Sequence, residues 1–282
     1  MNPTALAVRA GVHRGWIELR NIFASPAELW NYLFPTVIVL ITIFFMRGST
    51  VPGTDFSLGA RTLPSALGMG LTFGGMLGLA QQLVADREDG TLLRAKATPN
   101  GMQGYLIGKI IMISAATVFA MAMQLSPALF FLDGLDLGPA AWLTLTWVTV
   151  VGLLAMLPLG AVFGSLVENP RNMGLVVLPI FGLVALSGIF YPINTFPGWL
   201  QGVAQVFPLY WLGLGMRSAL LPDAMAAVEI GGSWRHPETL GVLTGWAVLG
   251  LALAPVVLRR MARREAGSRV AARREKAMQR WG

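Results

Sequence analysis

AAWLTLTWVTVVGLLAMLPLGAVFGSL, Ala140–Leu166, contains no ionisable side chain from end to end. The hydrocarbon core of a bilayer is about 30 Å thick, and a helix needs about 20 mainly apolar residues to cross it. The stretch therefore predicts a membrane span, with length to spare for tilt. Working outward, the same rule selects Trp30–Met46, Leu63–Val84, Tyr105–Leu132, Met173–Phe190 and Leu240–Leu258. The expected fold is an all-α polytopic membrane protein with six transmembrane helices over residues 30–258. Composition agrees: 55% of residues are hydrophobic and 12% charged, where soluble domains carry about 25% charged residues. No cleavable signal peptide is expected, because the first apolar run starts too late and has no small-residue cleavage site.

Lys and Arg outside these spans set the orientation. With the N-terminus in the cytoplasm, sixteen fall inside. Four (Arg47, Arg61, Arg217, Arg235) fall outside, and Lys109 snorkels from the third span. Both termini are expected in the cytoplasm. Residues 1–29 repeat Ala5, Val8, Val12, Trp16, Leu19 and Phe23 at helical spacing, with Arg14, Glu18 and Asn21 on the other side. This pattern predicts an amphipathic helix lying in the membrane interface; the alternative is a helix packed on another protein surface. The tail, 259–282, carries nine of the bases and reads as an anchor to anionic membrane lipids rather than a nucleic-acid arm.

Within the second span, Gly70, Gly74 and Gly78 form two overlapping small-xxx-small repeats, which let helix backbones approach closely. The alternative is a thin wall facing a substrate path; the spacing, common in membrane helices, favours packing. Gln124 and Ser126 in the third span read as cross-helix hydrogen-bonding groups. Residues 191–239 are too apolar for a water-exposed loop and too broken by Pro192, Pro197 and Pro208 to span. Irregular backbone at membrane depth survives only where protein shields it. The segment is therefore expected to form short re-entrant helices on the outer side, with Trp199, Tyr210 and Trp211 at the interface; an extracellular cap is the alternative.

Several chemistries are excluded. Cysteine is absent, and His13 and His236 fall on opposite sides of the membrane, so no metal cluster is proposed. "GYLIGKI" around Lys109 has three residues between its glycines and Ile110 after the lysine, so it fails as a phosphate loop. No Ser, His and carboxylate converge within the spans. No catalytic or cofactor-binding residue is assigned, and the chain is not expected to be an enzyme. The spans hold almost no interior charge for ion coupling, so the energy must come from outside the chain.

The connector between the second and third spans, residues 85–101, reads "ADREDGTLLRAKATPNG". Its acids precede its bases, an order that suits a helix dipole, with Gly90 as a break and Thr98–Pro99 as a stop. On pattern alone it is either a solvated turn or a charged helix that a soluble partner grips. "DREDGTLLRAKATP" resembles the cytoplasmic signature of the type-2 ATP-binding-cassette (ABC) exporter permeases. "LSGIFYPINTFPGWLQGVAQVFPLYW", Leu186–Trp211, resembles that family's second hallmark, in register after the fifth span.

The resemblance implies a permease that pairs with a second copy or a sister permease and sits on an ABC ATPase subunit dimer. ATP and Mg²⁺ would be bound by those partners, with no cofactor on this chain. It implies an ATPase-coupling segment at Asp86, Arg87, Glu88, Gly90, Thr91, Leu93, Arg94, Thr98 and Pro99. It also implies an outer gate at Ser187, Gly188, Phe190, Pro192, Pro197, Trp199, Leu200 and Pro208. Leu93 stands where many members have Glu, so the ATPase contact would be more apolar there. The expected function is export of a hydrophobic or amphiphilic substrate, a drug or lipid, across a bacterial cytoplasmic membrane. An ion-coupled secondary carrier and a non-transporting scaffold that recruits an ATPase are the alternatives.

Overall fold

The computed structural model describes residues 3–51, 55–98, 100–167, 170–189, 193 and 196–281; for 3, 4, 170, 171, 259 and 262–281 it describes the backbone alone. The described chain is helical, with no β-strand. In order it forms α1 (Pro3–Ala24), α2 (Pro26–Met46), α3 (Leu58–Leu71), α4 (Gly78–Glu88), α5 (Thr91–Lys96) and α6 (Gly101–Ala128). There follow α7 (Pro139–Leu166), α8 (Gly174–Leu186), α9 (Gly198–Val206), α10 (Pro208–Leu220) and α11 (His236–Trp281). A π-helical turn, Thr72–Leu77, joins α3 to α4, so Leu58–Glu88 is one long helix with a wide turn halfway along.

Among the described residues, five helices are long and apolar enough to cross a membrane: Pro26–Met46, Leu58–Glu88, Gly101–Ala128, Pro139–Leu166 and His236–Leu258. The stretch Ala140–Leu166 is α7, opened by Pro139 at its first position, where the missing N–H has no intrahelical partner to lose. The expected fifth span is shorter than predicted. α8 has 13 residues, about 20 Å at 1.5 Å per residue. Gly188 turns left-handed at φ 64° just beyond it, and the Ser187 hydroxyl accepts from the Ile189 N–H in place of a helical partner.

The long helix Leu58–Glu88 and α7 occupy the centre, while little of α2 or of the apolar part of α11, His236–Leu258, is buried. Small residues let the central backbones close up. A Cβ on Gly164 would lie 2.8 Å from Ala80 Cα, and one on Gly75 would lie 3.0 Å from Met156 Cβ. Of the predicted repeat, Gly74 abuts Thr117 of α6, Gly70 only faces the Gln124 amide, and Gly78 meets nothing but its own helix.

α1 carries a second, small-residue line beside the predicted apolar stripe. Its buried line is Ala7, Gly11 and Gly15, while Val8, Val12, Trp16 and Phe23 are exposed. It runs parallel to α6 in close contact: a Cβ on Gly11 would sit 2.7 Å from Ile107 Cβ, and one on Gly15 2.8 Å from the Gly108 carbonyl oxygen. Farther along, Phe23 meets Phe119 edge-on. Small residues bury against a neighbouring helix, and the large apolar ones are left for lipid or a partner, because close backbone approach selects the smallest side chains.

The segment after α8 forms two short helices. α10 is enclosed by α3, α7 and α11. The Phe207 ring stacks on Trp246, and the Trp246 indole donates to the Val206 carbonyl. Trp246 lies ten residues along α11 from His236, so the α9–α10 turn sits about 15 Å down that helix. Tyr210 and Trp211, expected at the interface, are instead buried in α10, and Trp199 is exposed on α9. At its start α11 holds His236 against Trp147; at its far end it continues helically through the basic tail to Trp281 and touches α5.

Candidate functional site

The ends of the long helix Leu58–Glu88 differ in chemistry. At the α5 end, the polypeptide reverses through Asp89 and Gly90, the latter at φ 77°, a left-handed conformation that favours glycine. This break splits the predicted charge run. Asp86, Arg87 and Glu88 close α4, so the acids stand at a helix C-terminus rather than opening one; Gly90 is the N-cap of α5, and only Asp89 reaches forward to its first residue. The Asp89 carboxylate accepts from the Thr91 N–H at 2.8 Å, and Arg94 donates to the Thr91 hydroxyl at 2.9 Å. Hydrogen bonds from Thr91 hold the Asp89 carboxyl below its usual range.

Of the predicted coupling residues, Glu88, Arg94 and Thr98 are exposed, and Thr91 and Leu93 half-buried. Gly90 is buried, beside Leu92 and Ala95 on the inner face of α5. Pro99 lies outside the described residues. Arg87 reaches across to donate to the Val167 carbonyl at 2.7 Å, pinning α4 to the end of α7.

Asp86 faces inward and is not available to a partner. Its carboxylate accepts from the Tyr105 hydroxyl at 2.7 Å and pairs with Lys109 at 2.8 Å. Lys109, expected to snorkel, is 4% exposed. Besides Asp86, it pairs with Glu18 at 3.0 Å and donates to the Gln82 side-chain oxygen at 3.0 Å. Arg14 bonds Glu18 at 2.8 Å and lies over the Tyr105 ring. Two bases and two acids from α1, α4 and α6 form one neutral cluster. Sequence reasoning missed it, although a signal was there. Arg14/Glu18, Gln82/Asp86 and Tyr105/Lys109 are three polar pairs, each spaced one turn apart on one helix face.

The remote end holds a second buried cluster, also missed. Arg217 of α10 grips Glu229 through two bonds, at 2.8 and 3.1 Å, and donates to the Ile189 carbonyl at 3.3 Å. Arg61 of α3 stands 3.8 Å from the same carboxylate. Arg61, Arg217 and Glu229 are all buried. The expected second span, Leu63–Val84, left Arg61 and Asp86 just outside the membrane; the helix is longer and takes both inside the bundle.

Of the predicted gate residues, Ser187 is buried and donates to the Val184 carbonyl, Gly188 makes the left-handed turn, and Pro208 opens buried α10. Pro197 and Trp199 at the start of α9 are exposed and Leu200 is half-buried. Phe190 and Pro192 lie outside the described residues. The structure thus gathers Gly188 and Ile189 beside the Arg217–Glu229 pair, and leaves α9 on the surface.

A family model described as ABC-2 family transporter protein matches residues 57–256, from the start of α3 to near the end of the apolar part of α11. The chain belongs to the ABC-2 family, and with its apolar helices it is a membrane permease of an ABC transporter. No curated protein matches it.

Proposed function

We propose that the chain is the membrane-spanning subunit of an exporter, working as a dimer with a second copy or sister permease. ATP and Mg²⁺ are bound by a separate pair of ABC ATPase subunits. In this reading the bilayer is a bacterial cytoplasmic membrane, both termini lie in the cytoplasm, and the chain crosses six times, with short α8 making the fifth crossing. The substrate is hydrophobic or amphiphilic, a drug or a lipid, and leaves past α9 and α10, which dip back from the outer side.

The observation that carries this reading is the construction of the α5 end. The turn out of α4 exposes Glu88 and Asp89, and short α5 exposes Arg94 and Lys96 while burying Leu92 and Ala95. Behind it the Asp86–Lys109–Glu18 cluster ties α4 to α1 and α6. Pressure on α5 from a closing ATPase pair is thereby passed to three helices together. The long helix carries the displacement toward the remote end through the π-turn at Thr72–Leu77, a feature often found at functional sites.

The test is copurification of the native chain and the double variant Glu88→Ala/Arg94→Ala with the partner ATPase, with ATP hydrolysis read in the same preparation. Both side chains are exposed, so the variant should fold. ATPase association or coupled hydrolysis should fall at least about fivefold, the scale of losing two charged contacts at a docking surface. If no ATPase associates with the native chain, or the variant equals it, the reading is wrong.

A further inference from the structure

We propose that Arg61 is the anchor of an oxyanion site at the remote end of the bundle, taking a phosphate or carboxylate group. A guanidinium stays charged at any working pH and presents five N–H donors in a rigid fork. Arg61 is 8% exposed. Among the described residues its electrostatic neighbours are Arg217 and Glu229, and its one ion pair is the 3.8 Å approach to a Glu229 oxygen. That distance is too long for a hydrogen bond. The same oxygen already accepts from Arg217 at 2.8 Å, and Arg217 occupies the other oxygen as well. Two cations therefore share one carboxylate that a single cation satisfies.

The cluster keeps a positive charge inside an apolar bundle, with fully buried Ala60 and Leu63 flanking Arg61 on α3. Burying a charge without compensation is costly, and that cost is lifted by a group that brings acceptors and one negative charge. An oxyanion supplies both and matches the fork with two parallel bonds. The neutral cluster at the α5 end makes no such demand. Such a group would meet Arg61 at the 8% of its surface that stays exposed. Its source is either a lipid or amphiphile head group or a free anion.

Native mass spectrometry of the purified full-length permease in a non-ionic detergent tests this without any ATPase, so the result stands apart from the exporter reading. The probes are dihexanoyl phosphatidylglycerol, dihexanoyl phosphatidylcholine and glycerol phosphate. The chains are the native protein, Arg61→Gln and Arg61→Lys, each checked for monodispersity and helix content. Any anionic-lipid binding by the basic tail is common to all three, so the difference between native and variant chains is the quantity that decides.

Phosphatidylglycerol should occupy a site on the native chain that weakens about tenfold or more in Arg61→Gln, the scale of one charge-assisted bidentate contact. Arg61→Lys, which keeps the charge and loses the fork, should bind between the two. Glycerol phosphate binding with the same dependence on Arg61 identifies a free anion as sufficient. Dependence seen with phosphatidylglycerol alone identifies a tailed head group. Phosphatidylcholine equally dependent on Arg61 supports recognition of the phosphodiester the two lipids share; phosphatidylglycerol occupancy unchanged in either folded variant overturns the proposal.

Discussion

The two ends of the helix Leu58–Glu88 solve the problem of buried charge in opposite ways. At the α5 end, Lys109 has Glu18, Asp86 and Gln82 all within 3.0 Å, and Arg14 completes Glu18. Charges balance, and three helices are locked together. At the remote end, Arg217 takes both oxygens of Glu229, and Arg61 is left at 3.8 Å with its charge unbalanced. A balanced cluster is a joint. An unbalanced one of similar burial is a receptor, because the missing charge must be supplied from elsewhere. The helix that links them therefore connects the end proposed to couple to an ATPase with the end proposed to meet an anion.

The largest expected effect is at the joint. Lys109→Met removes the one cation shared by Glu18 and Asp86 and leaves two carboxylates facing an apolar side chain. Loss of one partner from a buried pair costs about 3–5 kcal/mol. The expected outcome is a large fall in the thermal unfolding midpoint in detergent, with much of the protein lost to aggregation. Adding Asp86→Leu should recover part of the loss, because Glu18 keeps Arg14 and no uncompensated charge then remains. A midpoint within error of the native value in Lys109→Met would show that the cluster is wet and loosely held, and the contrast between the ends would collapse.

Much of the helix order was legible because hydrocarbon imposes a length rule that a single apolar run such as Ala140–Leu166 obeys or fails. The position of α5 was legible from Gly90, a residue suited to the left-handed turn found there. What stayed hidden was everything decided by which face of a helix meets which neighbour. The stripe Val8, Val12, Trp16, Phe23 is the larger apolar face, yet membrane helices pack through their smallest residues, and Ala7, Gly11 and Gly15 took the buried side. The ion clusters escaped because hydropathy bounds a span by cutting the helix at its first charge. Arg61 and Asp86 fell outside the second span for the very property that gives them partners inside the bundle. α8 ended early because Gly188 and Ser187 build a turn that apolarity alone does not reveal.

At the remote end the effects should be smaller and should separate Glu229 from Arg61. Glu229→Gln leaves two guanidiniums together, but the amide oxygen still accepts one bond from Arg217. The loss expected is that of a broken buried pair softened by the bond the amide keeps, about 2–3 kcal/mol, read as a moderate fall in the same unfolding midpoint. Arg61→Gln removes a charge that, at 3.8 Å from an already satisfied carboxylate, contributes little to the fold. Its midpoint should fall by an amount corresponding to less than about 1 kcal/mol, or rise, since a charge buried at a net cost has been taken away. The ordering is the sharp part of the comparison. If Arg61→Gln destabilises as much as Glu229→Gln, then Arg61 is a brace between α3 and α10, and the remote cluster is a second joint. If the two separate as expected, Arg61 is held in the bundle for something other than stability.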